Sequence, residues 1–288
     1  MKPQVLVLGP GRVGRCLALA HQQHGARVQL LGRRPGEWQQ WAVNQQIEAI
    51  FDMSEAGAEI DLVLLAVADD QLQSVILNCA AHEFCSGAVV AHMSGAFGAD
   101  VLEPLVAAVS ATAALHPLMA FEESTEHSLT HLRSCLVSVD CADEQLATVS
   151  AAVACWQARF HRLPPKQNRA SYHLALSLLS NHVTAMTSWA QEMLQPALGA
   201  ETNNLIRAMS QQAVEATLNQ GGAQALTGPV VRGDVRTVQA HLDALPADQA
   251  ARYRGSLLAV IDLASSSGRL DPEKEAVLRA LAKGAINS

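Results

Sequence analysis

Apolar positions in the first half of the chain come in short runs, separated by stretches with helical spacing. Residues 5–8 read as a strand, 12–24 as a helix and 27–31 as a second strand. Residues 61–68 (D-L-V-L-L-A-V-A) and 88–93 are near-continuous apolar runs, as expected for parallel strands covered by helices on both faces. Residues 111–115, 135–139 and 158–163 extend the sheet. The alternation predicts an α/β Rossmann domain with a mostly parallel, doubly wound sheet. Pro164-Pro165 mark its end, because paired prolines stop a strand and resist helix. Beyond them the spacing turns helical over 168–194, 202–220, 234–245 and 248–266. A last helix opens at Asp271-Pro272, an aspartate cap followed by a proline suited to the first turn. The expected organisation is therefore a Rossmann domain over 1–163 and an all-α domain over 164–288.

The first turn carries the chemistry. Gly9-Pro10-Gly11-Arg12-Val13-Gly14 is G-x-G-x-x-G between a strand and a helix. The first glycine permits the tight turn, the second lets a pyrophosphate approach the backbone, and Gly14 lets the helix pack against the sheet. The helix N-terminus supplies amide donors and a positive dipole to phosphate. An NAD site usually places Asp or Glu at the end of the second strand. This chain has Leu31-Gly32-Arg33-Arg34 there, and two guanidiniums suit a 2′-phosphate, so NADP(H) is the expected cofactor. Ala66 and Val67, at the end of a later strand, should line the same crevice. Ser94, in His92-Met93-Ser94-Gly95, and His116, before Pro117, end two further strands where a nicotinamide and substrate would meet.

Composition narrows the partners. Charged residues make up 16% of the 288, below the roughly 25% of a soluble chain, so much of the surface should be buried or shared between subunits. A net charge of −7 with no basic cluster argues against nucleic acid. The six cysteines show no metal-ligand spacing and read as reduced cytoplasmic thiols, with no metal expected. The charge-poor stretches 104–121 and 170–191 contain His116, Pro117, His173, Asn181 and His182, which are costly in lipid, so no membrane span is expected. On the helix predicted over 168–194, His173, Ser177, Ser180, Asn181, Thr184 and Ser188 form a polar stripe. Leu174, Leu176, Leu178, Leu179 and Met186 fill the other rows, so the helix reads as buried on both sides. A buried stripe needs partners: a substrate, a cofactor amide, or a helix or dimer seam.

The ordered motifs H-M-S-G (92–95), L-H-P-L-M-A-F (115–121), Y-H-L-A (172–175), S-N (180–181) and L-T-G-P-V-V-R-G-D (226–234) resemble a bacterial family of candidate NADP-dependent oxidoreductases. In that family a Rossmann-like domain precedes a helical domain of unknown function. Its layout is similar to pyrroline-5-carboxylate reductase, ketopantoate reductase and the β-hydroxyacid dehydrogenases. The resemblance implies dimerisation through the helices and reduction of a small carbonyl or imine. The β-hydroxyacid dehydrogenases place an asparagine four residues after a catalytic lysine. Here Lys166 is followed at that distance by Ala170, so Lys166 is expected only to border the substrate. The expected activity is NADPH-dependent reduction of a small, carboxylate-bearing keto or imino compound. His173 would donate the proton, Asn181 orient the substrate and Arg232 clamp its carboxylate. The rival expectation is a non-catalytic NADP(H)-binding redox sensor or scaffold.

Overall fold

In the computed structural model, which describes residues 2–57, 59–82, 86–164 and 167–284, the predicted strands all form. The chain runs through β1 (Gln4–Leu8), α1 (Arg12–Gln23), β2 (Arg27–Leu31), α2 (Glu37–Asn44), β3 (Glu48–Ile50), β4 (Leu62–Leu65) and α3 (Asp69–Ala80). It continues through β5 (Val89–His92), β6 (Ala111–Pro117), α4 (Thr125–Leu132), β7 (Leu136–Asp140), α5 (Leu146–Ala152) and β8 (Arg159–Arg162). Neither α2 nor the three-residue β3 was expected. One residue triplet has too little pattern to signal a strand. Among the described residues the strands make one sheet, ordered β3-β2-β1-β4-β5-β6-β7-β8. Neighbours are parallel except β6 and β7, so β7 and β8 run against the rest. The chain reverses direction across the sheet between β1 and β4, which opens a crevice at their carboxyl ends, where such sheets take ligands.

The pleat sorts side chains onto two faces. Val5, Val7, Leu64, Ala91, Leu115, Val137 and Val139 join Leu17 of α1 and Trp156 in one core. Leu6, Leu8, Val63, Leu65 and Val90 join Leu72, Ile76, Leu102 and Leu105 in the other. Past the middle of β5 this second face changes character. The register puts His92, His116, Ser138, Asp140 and His161 on it, a polar half-face on an otherwise apolar sheet.

The chain divides into two compact units, Met1–Thr184 and Ala185–Ser288. The first ends with α6 (Arg169–Ser177), a π-helical turn (Leu178–His182) and the start of α7 (Val183–Leu198). One unbroken helix over 168–194 was expected, and the π turn interrupts it. The expected burial is also corrected, because Leu174, Leu179 and Met186 are 56%, 74% and 41% exposed. The polar stripe bonds to its own helix: Ser180 Oγ donates to the Leu176 carbonyl, Asn181 Nδ2 to Ser177 Oγ and Thr184 Oγ1 to the Ser180 carbonyl. Ser and Thr hydroxyls satisfy themselves in this way when no neighbour is packed against them.

The second unit contains the rest of α7, α8 (Thr202–Gln220), α9 (Gly222–Ala225), α10 (Pro229–Arg232), α11 (Val235–Asp243), α12 (Ala247–Ser266) and α13 (Pro272–Ala282). Val230, Val231, Val238, Leu242, Leu257, Ile261 and Leu278 form its core. Asp271 caps α13 by accepting from the amides of Glu273 and Lys274, as its sequence position implies. Among the described residues no helix is long and apolar enough to cross a membrane.

Candidate active site

The glycine turn is held by close backbone approach. Gly9 sits at φ +105°, where an L side chain is strained, and its amide donates to the Leu31 carbonyl at 2.9 Å. A Cβ on Gly9 would stand 2.4 Å from the Ala66 carbonyl oxygen, and one on Gly14 would stand 1.9 Å from the Gly9 carbonyl oxygen. Gly11 differs. A Cβ there would meet nothing within 4 Å, so its freedom serves what approaches from outside. Gly11 is the N-cap of α1, no side chain caps that helix, and its first turn carries no acid. The amides at the positive end of α1 are thus left for an external anion. Val13 packs against the core. Arg12 points elsewhere, donating to Glu123 at 2.6 Å, with Arg15 3.7 Å from the same carboxylate.

Gly9, Pro10, Arg33, Arg34 and Val67 all line one cavity of about 860 Å³. Ala66 supports it from behind, against Gly9 and Gly14. Two positions the sequence reading missed shape this cavity. Gly32 lets Pro10 and Trp38 close on each other, since a Cβ would lie 2.7 Å from Pro10 Cγ and 2.6 Å from Trp38 Cζ2. Trp38 in turn donates its indole N–H to the Arg34 carbonyl at 3.0 Å and packs on Phe51, ring centres 5.6 Å apart. This fixes the backbone that carries both arginines. Asp52 also lines the cavity, but its carboxylate accepts from the Ser54 amide and hydroxyl, which hold its pKa below the usual range.

A second cluster lies on the polar half-face. His92 accepts from the Ser94 amide at Nδ1 (3.2 Å) and meets the Gly98 carbonyl at Nε2 (2.9 Å), which defines a neutral ring with its proton on Nε2. Burial lowers the His92 pKa and keeps it neutral. That clamp holds the turn in which Ser94 Oγ accepts from the Ala96 amide. Over the turn stand His116, from β6, and Tyr172 and His173, from α6. The His116 ring centre is 5.8 Å from His173 and 6.2 Å from Tyr172, both edge-on. Gly95 makes room for them, because a Cβ would lie 2.6 Å from His116 Cε1 and 2.8 Å from His173 Cδ2. Burial, then the neighbouring His173 and Arg169, push the His116 pKa down to about 4, so its ring is neutral near pH 7. Beside it Arg169 pairs with Asp140 at 2.5 Å, and Asp140 also accepts from the Ala99 amide.

The structure thus brings Ser94, His116 and His173 together. Asn181 is exposed, within the π turn, and bonded to Ser177. Lys166 lies outside the described residues. Arg232 belongs to the second unit, where its Nε donates to Asp234 at 2.9 Å. Tyr172 was within the quoted Y-H-L-A motif but was not singled out. Asp140 and Arg169 are 29 residues apart, and no local spacing signals that pair. Among the described residues no group of three or more His, Cys, Asp or Glu is placed to hold a metal ion.

Fold and crevice together define a chain of the Rossmann class with a helical second half. Residues 2–117 match the Rossmann-like domain model, and residues 135–259 match DUF2520, a domain of unknown function. These are the two domains, in the order, that the sequence motifs resemble. No curated protein matches the chain. A candidate NADP oxidoreductase from Bacteroides fragilis is similar at 21% identity and TM-score 0.72, over 92% of this chain and 98% of that one. An imine reductase from a Pseudomonas species is similar at 19% identity and TM-score 0.64, over 99% and 100%. Pyrroline carboxylate reductase of Plasmodium falciparum, solved with NADP bound, is similar at 12% and 0.54, over 97% and 99%. At these identities what is shared is the fold.

Proposed function

We propose that this protein is an NADPH-dependent reductase of a small, carboxylate-bearing keto or imino compound. The observation that carries the reading is Arg33 and Arg34 lining one cavity with the Gly9-Pro10 turn. Gly11 leaves the approach to the α1 amides open, which suits a pyrophosphate, and the two guanidiniums suit a 2′-phosphate. The fold is that of imine and pyrroline carboxylate reductases, which supports reduction of a C=O or C=N bond. Bound NADPH would supply a hydride to the substrate carbon. The chain's own task is to orient the substrate, exclude water and deliver a proton. His173 is the proton donor in this reading, standing against His116 and the Ser94-Gly95 turn. Asn181 orients the substrate in the same reading.

The exposed rows on α6 and α7, with Met209, Val214 and Leu218 on α8, support a homodimer formed through these helices. A cytoplasmic location belongs to the same reading. The test is a screen of keto acids and cyclic imines at fixed enzyme, following NADPH absorbance. Substrate-dependent oxidation is expected. Tight NADPH binding with no oxidation by any compound would instead favour the redox sensor.

A further inference from the structure

Buried polar atoms are nearly always hydrogen-bonded, because an unpaired one forfeits its bonds to water. Among the described residues six buried side-chain N or O atoms have no partner, and three of them share the polar half-face: His116 Nδ1, Ser138 Oγ and Tyr172 Oη. His116 and Ser138 are directly opposed across β6 and β7. Side chains so paired project from the same face, with Cβ atoms about 5 Å apart. Tyr172 comes from α6 onto the same histidine. Three residues with unsatisfied groups, from three elements, therefore gather about the His116 ring where the sheet has turned polar.

The charge state of this pocket restricts what satisfies it. His116 is neutral, and serine and tyrosine hydroxyls are uncharged near pH 7. The nearest cation, Arg169, is matched by Asp140. Among the described residues, a carboxylate placed here would lose its hydration and find Arg169 already matched, which is costly. An uncharged group with both lone pairs and an N–H or O–H has no such cost, and hydroxyls answer it either as donors or as acceptors.

We infer that His116, Ser138 and Tyr172 form a binding pocket for an uncharged polar group, such as a carbonyl, amide, imine or hydroxyl. On the proposed reductase reading, this is the reacting end of the substrate rather than its carboxylate. The unpaired hydroxyl of Tyr172 then trades stability for binding, a pattern expected of functional sites.

The test uses 2-pyrrolidinone, a neutral cyclic amide, and acetate as probes. The His116 Cε1–H NMR signal of the full chain is followed with and without NADPH. A saturable shift with 2-pyrrolidinone and none with acetate is expected. Tyr172→Phe should weaken the amide roughly tenfold, as loss of one or two hydrogen bonds does, and Ser138→Ala should weaken it too. Without ligand, Tyr172→Phe should raise the melting temperature by about 2 °C, since it removes an unpaired buried hydroxyl. A merely structural tyrosine would be destabilised instead. Acetate acting as strongly as the amide, no saturable shift with either probe, or an undiminished shift in Tyr172→Phe would overturn the inference. Amide binding in a protein that does not bind NADPH would leave the pocket standing and remove the reductase reading.

Discussion

Trp156 donates its indole N–H to His21 Nε2 at 3.1 Å, with both side chains buried. The other ring nitrogen of His21 faces Cys155 Sγ at 3.3 Å, and burial pushes that thiol up to about 12, so it stays protonated. A second proton on His21 would break the Trp156 bond. Burial accordingly pushes the His21 pKa down to about 4, as it does for His116. Unfolded histidine titrates near 6.5, so the unfolded chain binds more protons between about pH 6.5 and 4. Stability should be full above pH 6.5, fall as pH drops through it, and stop falling on this account near pH 4. The loss amounts to at most about 3 kcal/mol per histidine. Melting temperatures that do not change between pH 7 and 4.5 would contradict this.

Gly14 and Gly11 should separate folding from binding. Gly14→Ala forces a methyl to within 1.9 Å of a carbonyl oxygen and should destabilise the chain by about 2–4 kcal/mol in urea melts. Gly11→Ala meets open space and should leave the melt unchanged while weakening NADPH at least tenfold, roughly one lost charge-assisted contact. An unaltered Gly11→Ala titration would argue that no pyrophosphate rests there.

Replacing Arg33 and Arg34 with alanine should weaken NADPH by about 1–3 kcal/mol for each charge-assisted bond lost and leave NADH nearly unchanged. Calorimetry on the unaltered protein reads the same point. Equal affinities for the two cofactors would end the 2′-phosphate assignment.

His173→Ala should lower turnover by about 10²–10⁴-fold with NADPH affinity unchanged, the usual worth of a positioned proton donor. Asn181→Ala should raise KM more than it lowers kcat. Full activity in both variants would move the proton donor elsewhere, with His116 the next to test.

Leu179, 74% exposed, is the probe for the dimer. Light scattering at micromolar concentration should give twice the chain mass, and Leu179→Glu should return it to the monomer, since a charge in an apolar seam is costly. A monomeric unaltered protein would contradict the dimer.

Much of this was legible in the chain because its signals are local. Strand runs, the glycine turn and Arg33-Arg34 each need only a few consecutive residues, and the strands stand within a few residues of where they were expected. What escaped depends on residues far apart in sequence. Gly32 reads as an ordinary loop glycine until Pro10 and Trp38 close over it. Asp140 and Arg169 meet only because β7 lies under the start of α6. Counting by 3.6 predicted one long buried helix. Periodicity sees neither a π turn nor whether an apolar row is covered within the chain.

The polar half-face also bears on how such a chain can diverge. The apolar cores and the glycine turn are mutually constrained, so a change there must be answered by a neighbour. His116, Ser138 and Tyr172 each hold a buried polar atom with no partner within the described residues, so what they bind can change without breaking a hydrogen bond of those atoms. Selection can therefore rewrite what is recognised at this patch while the rest of the sheet stays fixed. A new substrate would then need few compensating changes elsewhere in the sheet.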